Sequence, residues 1–397
     1  MRLQFVIWNV VDYHVPRYRA VAQLATTQGY EISLIEIFGR SRAYGYPQVE
    51  RDKFLAEGSV QAITLFKDHA HGEKNWLLVL MRLRKALRAQ RPNIVVTLGY
   101  HTSYAIYLCA AKLLRRRFKL MYMSDSKHDD GKRFGLKEWF KKLLVSHFDG
   151  ALVAGQRHRR YAQSLGIPLE RSRVGFDVID VGYFREAALR AAGCPAQART
   201  LFGLPMRYVL CVSRFVERKN VSVVVEAFAR STLAHGGTSL VIVGQGPLED
   251  AIRKKIDELG VREHVTILKE VLNRDMPSLY ALADFLVLAS AFDQWGLCVN
   301  EAMACGCPAI VSETCGCANE LVHDGINGFV VRPGHIQELT DRMKQLGEDS
   351  DLRQHFAAAA LSTIRNWTPA LFAKNVLALA DDLLRMIRPS RDEISAE

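Results

Sequence analysis

Two carboxylates eight positions apart, Asp293 and Glu301, flank a glycine in the stretch AFDQWGLCVNEAMACGCP. The apolar run DFLVLAS leads into it, so Gly296 supplies a close turn and a helix is expected over Leu297–Cys305. The first N–H groups of such a helix, from Gly296, Leu297 and Cys298, have no intrahelical partner and make a ready anion site. A second loop, RFVERKN, follows the run RYVLCVS and brings Arg214 and Lys219 to the end of a strand. Both charges are expected to point into the same pocket. Arginine, lysine and a helix N-terminus together suit a diphosphate that departs with growing negative charge. Carboxylates beside them can accept hydrogen bonds from sugar hydroxyls. A third turn, with Gly244 and Gly246 in IVGQGPLED, follows the next strand; a Gly-x-Gly alone is a weak signal.

Four cysteines crowd the same region as two Cys-Gly-Cys pairs, Cys305 with Cys307 and Cys315 with Cys317. Structural zinc sites bring thiolates in pairs, but cysteine is also a small and frequently buried hydrophobe. Packing is the preferred reading, and no metal is expected. Asp349-Ser350-Asp351 is an Asp-x-Asp in an acidic surface loop and is not read as a sugar-nucleotide metal motif.

The elements that must position these groups are legible as alternating apolar runs and helical patterns. Strands are expected at 3–8, 30–38, 60–66, 93–99, 119–125 and 150–155, separated by helical stretches such as WLLVLMRLRKALRAQ and KEWFKKLLVSHF. The alternation restarts at 207–213 and continues at 239–244, 264–269, 284–290 and 307–312. Strands alternating with helices imply right-handed crossovers and parallel sheets covered on both faces. The expected organisation is a domain over 1–190, a linker over 191–205 carrying Gly193, Pro195, Gly203 and Pro205, and a second domain over 206–369. Ligands of doubly wound sheets sit beyond the carboxyl ends of the strands, so a cleft between the domains is the expected active site.

A chain of 397 residues exceeds the size at which one core stops growing, which supports two domains. A hydrophobic fraction of 49% with 24% charged residues excludes disordered and collagen-like classes. The N-terminal MRLQFVIWNVVDYH reads as a first strand rather than a signal peptide, and no apolar run reaches the ~20 residues of a membrane span. A cytoplasmic location with reduced cysteines is expected. Residues 1–190 carry 32 Lys+Arg against 17 Asp+Glu, a net +15, whereas the remainder is −4. So basic a half points to a polyanionic partner: nucleic acid, an anionic membrane surface or a phosphate-bearing substrate. In RLRKALRAQR, AKLLRRRFK and KRFGLKEWFKK, leucines, Trp139 and Phe140 interleave with the cations, as in helices that lie on anionic membranes. Solvated helix faces would give the same pattern.

The ordered series VSRFVERKN, VIVGQGPLED, VLASAFDQWGLCVNEAMACGCPAIVS and NELVHDGINGFVVRPG, spanning 207–334, resembles the donor domain of a retaining glycosyltransferase of family 4. That resemblance implies the GT-B fold: two Rossmann-like doubly wound parallel-sheet domains facing a cleft. It implies that Asp293, where Glu is more usual, and Glu301 form the acidic donor signature, with Glu301 on the ribose. Arg214 and Lys219 would hold the pyrophosphate, and the amides of Gly296, Leu297 and Cys298 the phosphate or sugar. Gly244 and Gly246 would also lie on the donor side. The positions of Cys305 and Cys317 tolerate cysteine in that family, which agrees with packing. The first half is similar only loosely. HVPRYRAVAQ, containing Arg17, stands where many members have a glycine-rich loop, and Ser124 and Asp125 stand where relatives keep cleft residues. The segment 174–184 resembles the one that closes the N-terminal domain, and a helix over 370–387 the one that crosses back onto it.

The reaction implied is transfer of a sugar from a nucleotide diphosphate to a hydroxyl of a lipid-linked or surface-polysaccharide acceptor, at the inner face of the membrane and without a bound metal or cofactor. Asp125 is a further catalytic candidate, beside Arg214, Lys219, Asp293 and Glu301, and Arg17 and His101 are the acceptor-side candidates, although His101 also reads as a first-turn residue and Asp125 as an Asx turn. A sugar-nucleotide epimerase or phosphorylase of the same fold competes. A nucleic-acid-binding protein competes less well, because the basic residues form no recognisable reading motif.

Overall fold

A computed structural model describes residues 1–41, 48–115, 118–131, 135–269 and 271–385. The described residues fall into two compact units. One takes those within 1–128, 135–178 and 369–385, the other 129–131 and 179–368.

The first unit alternates strand and helix. β1 (Arg2–Ile7), α1 (Val15–Thr27), β2 (Glu31–Phe38), α2 (Val49–Glu57), β3 (Gln61–Phe66) and α3 (Trp76–Gln90) come first. There follow β4 (Ile94–Leu98), α4 (Ser103–Arg115), β5 (Lys119–Ser124), α5 (Gly135–Val145), β6 (Gly150–Val153), α6 (Gln156–Ser164) and β7 (Ser172–Val174). Their seven strands are parallel, in the order β3-β2-β1-β4-β5-β6-β7. Strands such as IVVTL and GALV are buried on both faces, which is why they read as unbroken apolar runs.

In the stretch 191–205, α7 (Val181–Gly193) ends and α8 (Pro195–Phe202) forms, with Pro195 in its first turn and Gly203 left-handed at its end. Gly193, Pro195 and Gly203 thus stand at helix ends.

The second unit continues with β8 (Arg207–Val212), α9 (Val221–Arg230), β9 (Thr238–Val243), α10 (Glu249–Glu258), β10 (Val265–Leu268) and α11 (Met276–Leu282). β11 (Phe285–Leu288), α12 (Leu297–Ala304), β12 (Ala309–Ser312), β13 (Gly328–Val331), α13 (Ile336–Glu348) and α14 (Ser350–Ile364) complete it. Its six parallel strands run β10-β9-β8-β11-β12-β13. Each sheet therefore reverses its winding once, between β1 and β4 and between β8 and β11. At such a reversal the loops leaving the central strands run to opposite faces, which is where doubly wound sheets bind their ligands.

Two short strands differ from the expected set. β7 has three residues and β13 four, and both are edge strands whose pairing comes from the neighbour rather than from a long apolar run. Gly328 begins β13 because a Cβ there would lie 2.3 Å from the Ala309 carbonyl oxygen.

The last helix, α15 (Pro369–Arg385), belongs to the first unit. It packs on α1, with the Phe372 ring edge-on to Tyr18, and Asn375 donates to the Val174 carbonyl at 2.9 Å. Met386 and Ile387 of the expected helix lie outside the described residues, as do Arg116, Arg117, Lys132 and Arg133 of the basic stretches.

Candidate functional site

The reversal between β8 and β11 brings two loops side by side. The loop after β8 is anchored by Phe215, which is fully buried; its N–H donates to the Gln245 carbonyl and its own carbonyl accepts from Leu248 N–H. Gly244 and Gly246 make this possible. A Cβ on Gly244 would sit 1.9 Å from the Ser213 oxygen, and one on Gly246 2.6 Å from the Phe215 oxygen. The glycine turn therefore buttresses the cationic loop by close backbone approach. Beyond Phe215 the chain tightens into a 3-10 turn over Glu217–Lys219, ended by Asn220 in the left-handed region.

That turn aims two cations at Asp293. The Lys219 ammonium contacts the Asp293 carboxylate directly, and Arg218 Nη1 lies 3.4 Å from its other oxygen, with the guanidinium over the Phe292 ring. Asp293 is buried, so its charge needs these partners. The Arg218 carbonyl also accepts from Ala291 N–H, tying the two loops together. Arg214 is exposed at the start of the same loop and makes no ion pair among the described residues.

Residues 293–296 are clamped from the far side. Gly316 N–H donates to the Asp293 carbonyl and Cys317 N–H to that of Trp295, while the Trp295 indole donates to Asn300 at 2.8 Å. Gly296 is left-handed at φ 105°, and a Cβ there would meet Leu288 at 2.7 Å and Cys317 Sγ at 3.4 Å. Cys317 thus fills the space against the turn. Cys305 and Cys307 are buried beside the Phe184 and Pro308 carbonyls, and burial pushes the thiols of Cys305, Cys307 and Cys317 up, so that they pack as small neutral groups. Among the described residues, no three His, Cys, Asp or Glu side chains are grouped as a metal would require.

α12 starts at Gly296 with no side-chain cap, so the N–H groups of Leu297 and Cys298 carry the helix's positive end. One turn on, Glu301 is partly exposed and its carboxylate accepts from the Tyr280 hydroxyl at 2.7 Å. Burial pushes the Glu301 carboxyl up to about 7, against the opposing pull of that hydrogen bond. Burial likewise raises the Cys298 thiol, although Lys219 pulls the other way; Cys298 remains a neutral wall residue.

Lys219, Asp293, Gly296, Leu297, Cys298 and Glu301 are therefore gathered around one reversal point, with Gly244 and Gly246 behind the loop. Sequence reasoning missed Arg218 and Tyr280. Arg218 is one of three cations in RFVERKN, and only the 3-10 turn decides which of them face Asp293. Tyr280 lies in α11 and meets Glu301 through packing, with no local signal.

The remaining candidates belong to the first unit. Arg17 is buried in α1, where its Nη2 lies 3.5 Å from Asp177 and its Nε donates to the Val178 carbonyl, between the Tyr13 and Phe176 rings. His101 is exposed on the loop after β4; partial burial of its ring and the Lys141 charge hold its imidazole below the ordinary value. Asp125 is partly exposed just after β5.

Residues 198–363 match the family described as glycosyl transferases group 1. Alpha-D-kanosaminyltransferase of Streptomyces kanamyceticus is 32% identical over 252 residues, 63% of this chain and 62% of that protein. The GDP-mannose-dependent alpha-(1-6)-phosphatidylinositol monomannoside mannosyltransferase of Mycobacterium tuberculosis is 33% identical over 184 residues, 44% of this chain and 46% of that protein. The chain thus spans less than two thirds of either relative. A glycosyltransferase structure from Rickettsia africae superposes with a TM-score of 0.73 at 18% identity, covering 96% of this chain and 98% of its own. The Anabaena Alr3699/HepE structure in complex with UDP gives 0.71 at 17%, covering 96% and 100%. At such identities the likeness concerns the fold: two Rossmann-like parallel-sheet units of the GT-B type.

Proposed function

We propose that this chain is a retaining glycosyltransferase of family 4, moving a hexose from a nucleotide diphosphate to an acceptor hydroxyl. The observation that carries the reading is the Lys219–Asp293–Arg218 cluster beside the uncapped start of α12, with Glu301 one turn away. In this reading the diphosphate takes up Lys219, Arg218 and the Leu297 and Cys298 amides, with Arg214 at the rim. Glu301 accepts hydrogen bonds from the ribose hydroxyls and Asp293 from the sugar.

As the bond from the anomeric carbon to the diphosphate oxygen breaks, the two cations and the amides stabilise the growing negative charge. The acceptor oxygen forms its bond on the same face. Its proton passes to the departing phosphate oxygen, so configuration is retained without a protein nucleophile. The positive charge comes from this chain's own groups, so transfer is expected to survive EDTA.

The acceptor class is a lipid-linked or polysaccharide precursor at the inner membrane face, with the basic first unit toward the anionic surface, Arg17 and His101 on the acceptor side and Asp125 among the catalytic groups. A GDP-mannose-dependent relative acting on a phosphatidylinositol mannoside and a UDP-bound fold neighbour support a nucleotide-sugar donor. The test is thermal stabilisation by UDP-, GDP-, ADP- and CDP-sugars, since a ligand of the native state raises its melting temperature. Stabilisation by one nucleotide class, with turnover only when acceptor is present, is expected. Donor consumption without acceptor would instead mark an epimerase, and dependence on inorganic phosphate a phosphorylase.

A further inference from the structure

Helix α5 is turned against the usual order of soluble proteins. Leu136, Trp139, Phe140 and Leu143 recur at i, i+3, i+4 and i+7, the spacing of a core-facing stripe. They face solvent instead, at 71%, 56%, 57% and 48% exposure. Meanwhile the charged pair Glu138–Lys141, at 2.8 Å, is half-buried on the inner side, where Tyr161 of α6 donates to Glu138 at 2.9 Å. Val145 and the following Phe148 complete the inward face. Lys137 and Lys142 are exposed and flank the apolar stripe.

The neighbouring helices point the same way. The crossovers β3 to β4, β4 to β5 and β5 to β6 all advance along the sheet in one direction, so right-handedness places α3, α4 and α5 on one face. α3 exposes Trp76 and Met81 at 59% and 68%, and α4 exposes Leu114 at 84%. The crossovers from β1 to β2 and β2 to β3 advance the other way, so α1, with α15 packed on it, covers the opposite face.

We infer that the outward stripe of α5 seats this chain in the interfacial layer of an anionic bilayer, Trp139 and Phe140 entering among the acyl chains and Lys137 and Lys142 meeting lipid phosphates. The inference deepens the reading above and rests on it for the acceptor's place at a membrane. An 11-residue helix rises only about 16 Å, roughly half of a hydrocarbon core, so it lies in the plane of the surface. Charge decides between occupants. A second copy would set stripe on stripe and bring Lys137 and Lys142, within a half of net +15, against their own kind. Anionic lipid is complementary to both the stripe and its cations.

The test is flotation of the full chain with phosphatidylcholine vesicles with and without phosphatidylglycerol. Binding to the anionic vesicles, and little to the neutral ones, is expected. The double variant Trp139→Ser/Phe140→Ser should lower vesicle affinity about 30-fold, because two half-exposed aromatic rings no longer leave water. Lys137→Gln/Lys142→Gln should flatten the salt dependence. Leu201→Ser, at a position 70% exposed in α8, should change nothing. No flotation of the wild type at low salt, or equal flotation of the aromatic variant, overturns the proposal. So does a dimer in light scattering that the aromatic variant dissolves. Nucleotide-sugar thermal stabilisation is measured on the same preparations without lipid. Its loss in the wild type would sink the donor reading while leaving the vesicle result standing.

Discussion

The two sheets reverse their winding in the same way but fix their central loops by different physics. In the second unit the loop after β8 is held by the absence of side chains: Gly244 and Gly246 let two backbones touch, and the cations beyond them remain aimed at Asp293. In the first unit the loop after β1 has no glycine, and a buried carboxylate does the holding. Glu36 of β2 is fully buried; it accepts from Val10 N–H at 2.9 Å and Thr64 at 2.6 Å, and pairs with Arg51 at 2.5 Å. The Arg51 N–H in turn donates to Asp12 of the same loop at 2.9 Å. One loop is positioned by steric fit, and its cations Lys219 and Arg218 pair with Asp293 of the neighbouring loop at the candidate site. The other uses its charges internally.

That contrast can be broken most directly at the second unit's loop. Lys219→Ala and Glu301→Ala should each lower turnover by about 10²–10³-fold while the chain still unfolds cooperatively; wild-type turnover in either would remove the catalytic meaning of the difference. Next in size, Glu36→Ala should cost roughly 3 kcal/mol in urea unfolding, because it breaks a buried pair and strands the Val10 N–H. Gly244→Ala should cost roughly 2 kcal/mol and weaken donor stabilisation as the cationic loop shifts. Gly135→Ala, where a Cβ meets nothing within 4 Å, should stay within about 0.5 kcal/mol.

The smallest effect is a slope with pH. Burial raises the Glu301 carboxyl from 4.5 to about 7, so between those values the folded chain binds more protons than the unfolded one. Its contribution to stability is full below 4.5 and is lost as pH rises through about 7. Glu301→Gln should remove that fall in melting temperature, and an unchanged profile would show that the group titrates normally.

Buried parallel strands announce themselves as apolar runs, so eleven of the strands were legible, and a glycine between two carboxylates marked the turn at Gly296. β7 and β13 were not, since a three- or four-residue edge strand carries little pattern of its own. Partner choice was equally silent. Nothing local tells Arg218 from Arg214, or joins Tyr280 to Glu301 across two helices. α5 illustrates a different limit. Its period is the same whether Leu136, Trp139, Phe140 and Leu143 face a core or the solvent, and only the sheet beneath decides which.

The return of α15 to the first unit has a consequence for biosynthesis. Residues 179–368 form one uninterrupted segment, whereas the first unit draws on sequence from either side of it. During translation the guest segment can therefore consolidate before its host is finished, and the surface of α1, β6 and β7 that α15 covers stays open until that helix leaves the ribosome. A nascent chain halted at Thr368 would present a finished second sheet and a first unit in which α1, β6 and β7 still lack α15.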